Sequence, residues 1–388
     1  MILDPFFRWL ADQQERRTLA VALSAVILTV FFAFGVFYIR IETDFTKELP
    51  QDNPAFVLNN RVRDTFSGQD AIFVLVQVDP SSQSKKAVKD IRDPRVIQML
   101  MDLEDEAVGK SGVDKAQSVV ALFRRGSIPG TLDGVKGRLD ATPGASQFYN
   151  RDYSATTLSV LANVGSSPDK VNSLTEDILE SISEVPKPPG VKLTITGMPP
   201  IRARIGQILV NDAKYTIALA SLIILLLLLV MTKPFIRGFL VFSPLVMALI
   251  WTLGTMGWLD IPLSMVTVGV GAMILGLGVE YSAFYVSVYD ANRKRGESQN
   301  DALYTSLREV GAAIFGSAST TVVGFLALLL ASMPLMHHLG FTLALGITYC
   351  FITALVFNPA LIVLEENNSP RILRFIARMA GHKEVGEE

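Results

Sequence analysis

Residues 276–284 read GLGVEYSAF, and they set one carboxylate, Glu280, inside a stretch that is otherwise apolar for about a membrane's thickness. An ionised carboxylate in hydrocarbon costs several kcal/mol, and a protonated one far less. A group that gains and loses a proton at that depth is what a proton carrier requires. Two blander readings stand beside it: a glutamic acid held neutral by a hydrogen bond, and one that faces a wet crevice. Tyr281 follows directly and is placed to be the partner of the acid.

Counting back by four from Glu280 reaches Gly276, Ala272 and Val268, and Gly278 is the second glycine of the same short stretch. Such a face lets another helix come close. The stretch GAAIFGSASTTVVGF (311–325) offers a matching surface, with Ala312, Gly316, Thr320 and Gly324 recurring every four residues and Ala313, Ser317 and Thr321 in the adjacent row. Packing these rows together brings the hydroxyls of Ser317, Ser319, Thr320 or Thr321 near the carboxylate and lines a hydrated relay. The competing reading is that small-residue rows serve packing alone. Tyr285 and Tyr289 read as interface-belt residues. His337 and His338 read as packing or interface residues rather than a metal pair. Cys350, the one cysteine, reads as a small buried hydrophobe, so there is no disulfide framework and no metal cluster of cysteines.

The elements that hold these residues are membrane spans. The chain of 388 residues is 50% hydrophobic and only 19% charged, against about 25% charged for a soluble domain. Six apolar runs, 19–39, 213–231, 238–257, 265–289, 311–332 and 339–364, are each long enough to cross about 30 Å of hydrocarbon as a helix. Within 265–289, Glu280 falls about 5 Å past the midpoint. The first run has no small-residue cleavage site before Arg40 and reads as a retained signal anchor.

Lys and Arg set the orientation. Arg8, Arg16, Arg17, Lys233, Arg237, Arg293, Lys294, Arg295, Arg308, Arg371, Arg374, Arg378 and Lys383 all fall on the side of the N-terminus, and the loops WLDIPLS (258–264) and SMPLMHH (332–338) have neither residue. This predicts cytoplasmic termini and an external 40–212 insert, in a cell or inner membrane. The stretches 4–17 and 369–380, within a 1–18 segment and a 365–388 tail, mix aromatic and aliphatic residues with Arg at helical spacing. They lie on the cytoplasmic membrane surface or dock on the bundle. The net charge of −2 gives no sign of nucleic acid as a partner.

Inside the insert, AIFVLVQVD (71–79), AQSVVALF (116–123), TTLSVLANV (156–164) and VKLTITG (191–197) read as strands, and 93–110 and 167–185 as helices. The order βαββαβ predicts one ferredoxin-like domain. The fold class is thus an α-helical membrane protein with an α+β extracytoplasmic domain between helices 1 and 2. The Gly-rich 124–152 region reads as a surface loop with one short helix, or as a lid on a binding cleft. Asp102, Glu104, Asp105 and Glu106 read as a solvated helix face. The insert has no His, no Gly-x-Ser-x-Gly and no phosphate loop, so ATP-driven pumping and hydrolytic chemistry have no support, and no cofactor is implied.

GLGVEYSAFYVSVYDANRKRG, then ALYTSLREVGAAIFGSASTTVVGFLALLLASMPLMHHLGFTLALGI, and FNPALIVLEE resemble the membrane half of the resistance-nodulation-division (RND) superfamily. The similarity is greatest to its mycobacterial-membrane-protein-large (MmpL) branch with the hopanoid exporters, related to Patched and the Niemann-Pick transporters. IETDFTKELPQDNP (41–54) and LTITGMPPI (193–201) resemble the borders of that branch's porter domain. The resemblance implies a secondary transporter in which inward proton flow drives export of a hydrophobic or amphiphilic substrate, such as a membrane lipid, through the porter domain. The branch's Gly-x-Gly-x-Asp-Tyr aligns with Gly276, Gly278, Glu280 and Tyr281, with Glu standing for Asp. Family members commonly hold two such repeats, whereas this chain holds one. A half-size unit implies a homo-oligomer, a dimer before a trimer, in which Glu280 is supplied more than once, or else pairing with a different half-size chain as in the Sec accessory subunits. The rival class is a non-pumping accessory or lipid-sensing subunit, akin to the Sec accessory proteins.

Overall fold

The computed structural model describes residues 4–65, 70–124, 127–162, 168–232 and 235–367. They form two compact units, one of Thr43–Ile208 and one that joins Met1–Glu42 to Leu209–Glu388. The amphipathic stretch 369–380 lies outside the described residues. Two helices lead in, α1 (Asp4–Arg16) and α2 (Thr18–Val36), separated by a non-helical Arg17 with φ −122° and ψ 32°.

The Thr43–Ile208 unit runs α3 (Pro54–Thr65), β1 (Asp70–Val78), α4 (Pro94–Val108), β2 (Val113–Gln117), α5 (Leu132–Asp140), β3 (Ala155–Ala162), α6 (Pro168–Glu184) and β4 (Val191–Gly197). The sheet order is β2-β3-β1-β4, and each neighbouring pair is antiparallel. Strand alternation turns Ile72, Val74 and Val76 of β1 inward, and Leu100 and Leu103 of α4 and Leu174 and Ile178 of α6 share their core. Helix α4 starts where it does because the Asp93 carboxylate accepts the Arg95 amide and Pro94 has no N–H to leave unpaired.

Three expectations change here. The stretch 116–123 is not one strand: β2 ends at Gln117, and Ser118 Oγ accepts the Val120 amide to cap a 3-10 turn at Val119–Leu122. The turn drives Val119, Val120 and Phe123 into the core, which explains the apolar run without a strand. Nor is the carboxylate cluster of α4 wholly solvated. Glu104 is 1% exposed, accepts the Ser118 amide at 2.6 Å and pairs with Arg124 at 2.9 Å. The 124–152 region, finally, is more than a surface loop, because Val135, Leu139 and Ala145 bury themselves in the same core.

Among the described residues, six helices are long and apolar enough to cross a membrane. They are α2, α7 (Met198–Met231), α8 (Phe235–Trp258), the span Thr267–Lys294 containing α9 (Val270–Lys294), the span Gln299–Leu330 containing α10 (Gln299–Leu326), and the span Pro334–Asn367 opening with α11 (Pro334–Ile352). Helix α7 begins well before the apolar run at 213, since Pro199 and Pro200 sit in its first turn, where proline is tolerated, and no glycine pair or proline follows. The apolar windows of α8, α9 and the α11 span are 50%, 44% and 61% buried, against 6% to 11% for α2, α7 and α10. The first three therefore form the centre and the others wrap them.

The tightest helix contact was not among those expected. Helices α2 and α8 cross where Gly254 faces the Phe32 carbonyl and Gly257 faces the Gly35 carbonyl, leaving no room for a Cβ at either position. Helix α1 docks on α10: Phe7 fills the space over Gly311, Arg8 lies over the Tyr304 ring at 5.3 Å, and Phe6 and Trp9 stay exposed on its other face.

Candidate functional site

Glu280 stands at the middle of the 28-residue span Thr267–Lys294, and its side chain is exposed on the surface of the bundle. It opens on a cleft of about 240 Å³ between α9 and α10, shared with Tyr281, Phe284, Ala313, Ile314 and Ser317. Adjacent helix positions diverge by about 100°, so Tyr281 meets the cleft from its buried side. It is 2% exposed and meets the side chains of Ser317 and Thr321. Ser317 thus touches both the acid's cleft and the tyrosine. Thr320 and Thr321 turn their hydroxyls onto their own helix, donating to the Ser317 carbonyl at 2.9 Å each, and Ser319 is half-buried.

The two small-residue rows do not lie against each other within the chain. A Cβ added at Gly276, Gly316 or Gly324 would meet nothing within 4 Å, and Ala312 is exposed. Ala272 is half-buried. Gly278 faces the opposite way, against Cys350 of α11 and Leu245 of α8. The reason is angular: Glu280 and Gly276 share one stripe of α9, while Gly278, Tyr281, Tyr285 and Tyr289 share the buried one. Tyr285 and Tyr289 are both 0% exposed, which corrects their reading as belt residues. Cys350 is buried, as a small hydrophobe would be, and His337 is bonded to the Ala331 carbonyl at 2.7 Å. Among the described residues no group of three or more His, Cys, Asp or Glu is placed to hold a metal ion.

Sequence reading missed a second polar centre, at the end of the bundle where α9 carries Arg293 and Lys294. Arg237 of α8 is 8% exposed and reaches Glu366 at 3.0 Å, Glu365 at 3.5 Å and Asp290 at 3.6 Å. Glu366 also takes Arg293 at 3.5 Å, the Tyr289 hydroxyl at 3.1 Å and the Gln299 amide at 3.0 Å. Two cations thus face three carboxylates on three helical segments, and Gln299 joins them from a fourth. The signal was the charge pair Glu365-Glu366 closing the last apolar run on the same side as Arg237, but distance along the chain hid it.

The Thr43–Ile208 unit has its own small polar cleft, about 210 Å³, beside Arg92, Asp140, Ser146, Tyr149 and Tyr153. Arg92 lies over the Tyr153 ring at 3.5 Å and holds Asp90 through two bonds of 2.9 and 2.7 Å. Burial pushes Asp90 up, but the Arg92 and Lys136 bonds outweigh it and bring its pKa to about 2. Burial also raises the Tyr149 phenol above its ordinary range.

The MMPL family profile matches residues 38–378. A Methanocaldococcus jannaschii chain designated membrane protein MJ1562 is 36% identical over 386 residues, 98% of each chain. The siderophore exporter MmpL5 of Mycobacterium tuberculosis is 24% identical over 221 residues, 55% of this chain and 23% of that one. The sulfolipid-1 exporter MmpL8 of the same species is 28% identical over 92 residues, 24% of this chain and 8% of its own length. The chain therefore spans under a quarter of the mycobacterial relatives it matches. With six helices of membrane-crossing length and a family profile over most of its residues, the chain is a multi-pass membrane protein of the MMPL family, in the RND superfamily.

Proposed function

We propose that this chain is a half-size RND-type secondary transporter that exports lipids or other hydrophobic or amphiphilic molecules, driven by the proton gradient, as a homo-oligomer with a dimer favoured. One observation carries the reading: a lone carboxylate, Glu280, at mid-span on a surface whose glycines are open to a neighbour. A charge exposed there to lipid alone would cost several kcal/mol. A second copy seated on the same stripe covers it and completes a site that one chain leaves open, with protonation neutralising the buried acid. Tyr281, Ser317 and the Ser319–Thr321 hydroxyls line the relay. The Lys and Arg distribution supports cytoplasmic termini, with Thr43–Ile208 outside the cytoplasmic membrane. The β2-β3-β1-β4 order supports reading that unit as a ferredoxin-like porter domain. Relatives named as exporters speak for transport over the accessory role.

The test is Glu280→Gln in vesicles that hold the purified chain, a pH-sensitive dye and the lipids that co-purify with it. The expected result is a folded protein with no proton-coupled lipid movement. Coupled export retained by that variant would sink the mechanism.

A further inference from the structure

Tyr281, Tyr285 and Tyr289 follow one another at four-residue spacing down the buried face of α9, each at most 2% exposed. The two ends of this column have polar neighbours: Tyr281 lies beside the Ser317 and Thr321 side chains, and Tyr289 donates to Glu366. The middle differs. The Tyr285 hydroxyl is buried without a partner, and so is the Ser282 hydroxyl one turn away. Asn358, beyond the π-helical turn Thr353–Phe357 that packs on α9, is 0% exposed with both side-chain amide atoms unpartnered.

A buried polar group left bare costs about 1–3 kcal/mol, and phenylalanine would fill the place of Tyr285 without that cost. Groups of this kind are normally bridged by internal water. The spacing fits: four residues of helix advance about 6 Å, and one water with two hydrogen bonds of about 2.8 Å spans nearly that.

We propose that the tyrosine column, bridged by water at Tyr285, is the path by which protons pass between Glu280 and the Glu366 cluster at the Lys/Arg-bearing end of the bundle. This rests on the reading of Glu280 as the proton-binding group. A proton reaching the Tyr285 oxygen from the water on one side is matched by loss of the phenol's own proton to the water on the other. The hydroxyl then turns back, so no tyrosine keeps a charge. Glu366 receives the proton, and Arg237, Arg293, Asp290 and Glu365 are the charged groups that face it from α8, α9 and its own segment. Gln299 holds it from α10.

Two readouts test this on the full chain in vesicles. In the first, a pH step is imposed and the internal dye records proton movement for the wild type, Glu280→Gln, Tyr285→Phe and Tyr289→Phe. Tyr285→Phe is expected to melt no lower than the wild type, since it removes only an unpartnered hydroxyl, yet to move protons at least tenfold more slowly. In the second, hydroxyl-radical footprinting by X-ray pulse is expected to label Tyr285 in spite of its burial, through adjacent bound water. If Glu280→Gln is inactive while Tyr285→Phe runs at the wild-type rate, the column is wrong and the Glu280 site stands. An unlabelled Tyr285 likewise overturns the column. If the wild type moves no protons, the transport reading fails, and the column with it.

Discussion

The side-chain amide of Gln14 donates to the carbonyl of Leu355 at 2.8 Å, across 341 positions of sequence, and Gln14 is 0% exposed. Leu355 lies four residues before Pro359, which has no N–H to return to it, and within the π-helical turn Thr353–Phe357. The N-terminal helix thus supplies a hydrogen bond that the last span cannot make for itself. Gln14→Met keeps the bulk and removes the donor. It should cost about 1–3 kcal/mol, seen as a lower melting temperature of the detergent-solubilised chain; an unchanged melt would show the bond to be idle.

Arg237 is the centre of its cluster, with three carboxylates within 3.6 Å. Removing one partner of a buried ionic group strands the others, at about 3–5 kcal/mol. Arg237→Met should therefore destabilise the bundle strongly, and adding Glu366→Gln should restore part of the loss. A double-mutant cycle on thermal melting measures this, and strictly additive effects would deny the coupling.

Gly276 and Gly278 are two positions apart and face different worlds. Gly278→Ala drives a methyl into Cys350 and Leu245 and should lower stability by about 1–3 kcal/mol. Gly276→Leu enters open space, so monomer stability should hold while self-association weakens. Native mass spectrometry of the two variants separates these effects. A Gly276→Leu protein that associates as the wild type does would remove that stripe from the interface.

Asp90 responds to pH in a defined sense. Its folded pKa, about 2, lies below the ordinary carboxylate range, so its contribution is present above about pH 4 and fades as the pH falls toward 2. After solvent screening it is on the order of 1 kcal/mol. Hydrogen exchange of β1 and β3 in the full chain should speed up over that interval in the wild type. In Asp90→Asn, exchange should be faster at neutral pH and change less on acidification. The same acid response in both proteins would assign the effect to other groups.

Much of the molecule was legible in one dimension, because hydrocarbon thickness and strand alternation act over contiguous residues. The spans, three of the four strands and the helices at 93–110 and 167–185 follow from such local rules. The stretch 116–123 misled because burial alone made it apolar, while Ser118 turned the backbone out of the sheet. Glu104 misled in the opposite sense: a carboxylate beside other carboxylates reads as solvated, and only the arrival of Ser118 and Arg124 made its burial possible.

By itself the sequence determined that an acid lies at membrane depth, since any helix of that length and polarity must carry Glu280 there. Only the tertiary structure decided which way it faces. Side-chain direction changes by about 100° per residue, so the packing of Gly278 and Tyr281 against α8, α10 and α11 turns the neighbouring Glu280 outward. The partners of Arg237 were likewise undecided until helices distant in the chain met, because a charge finds its counter-ion in space and sequence separation places no limit on which one.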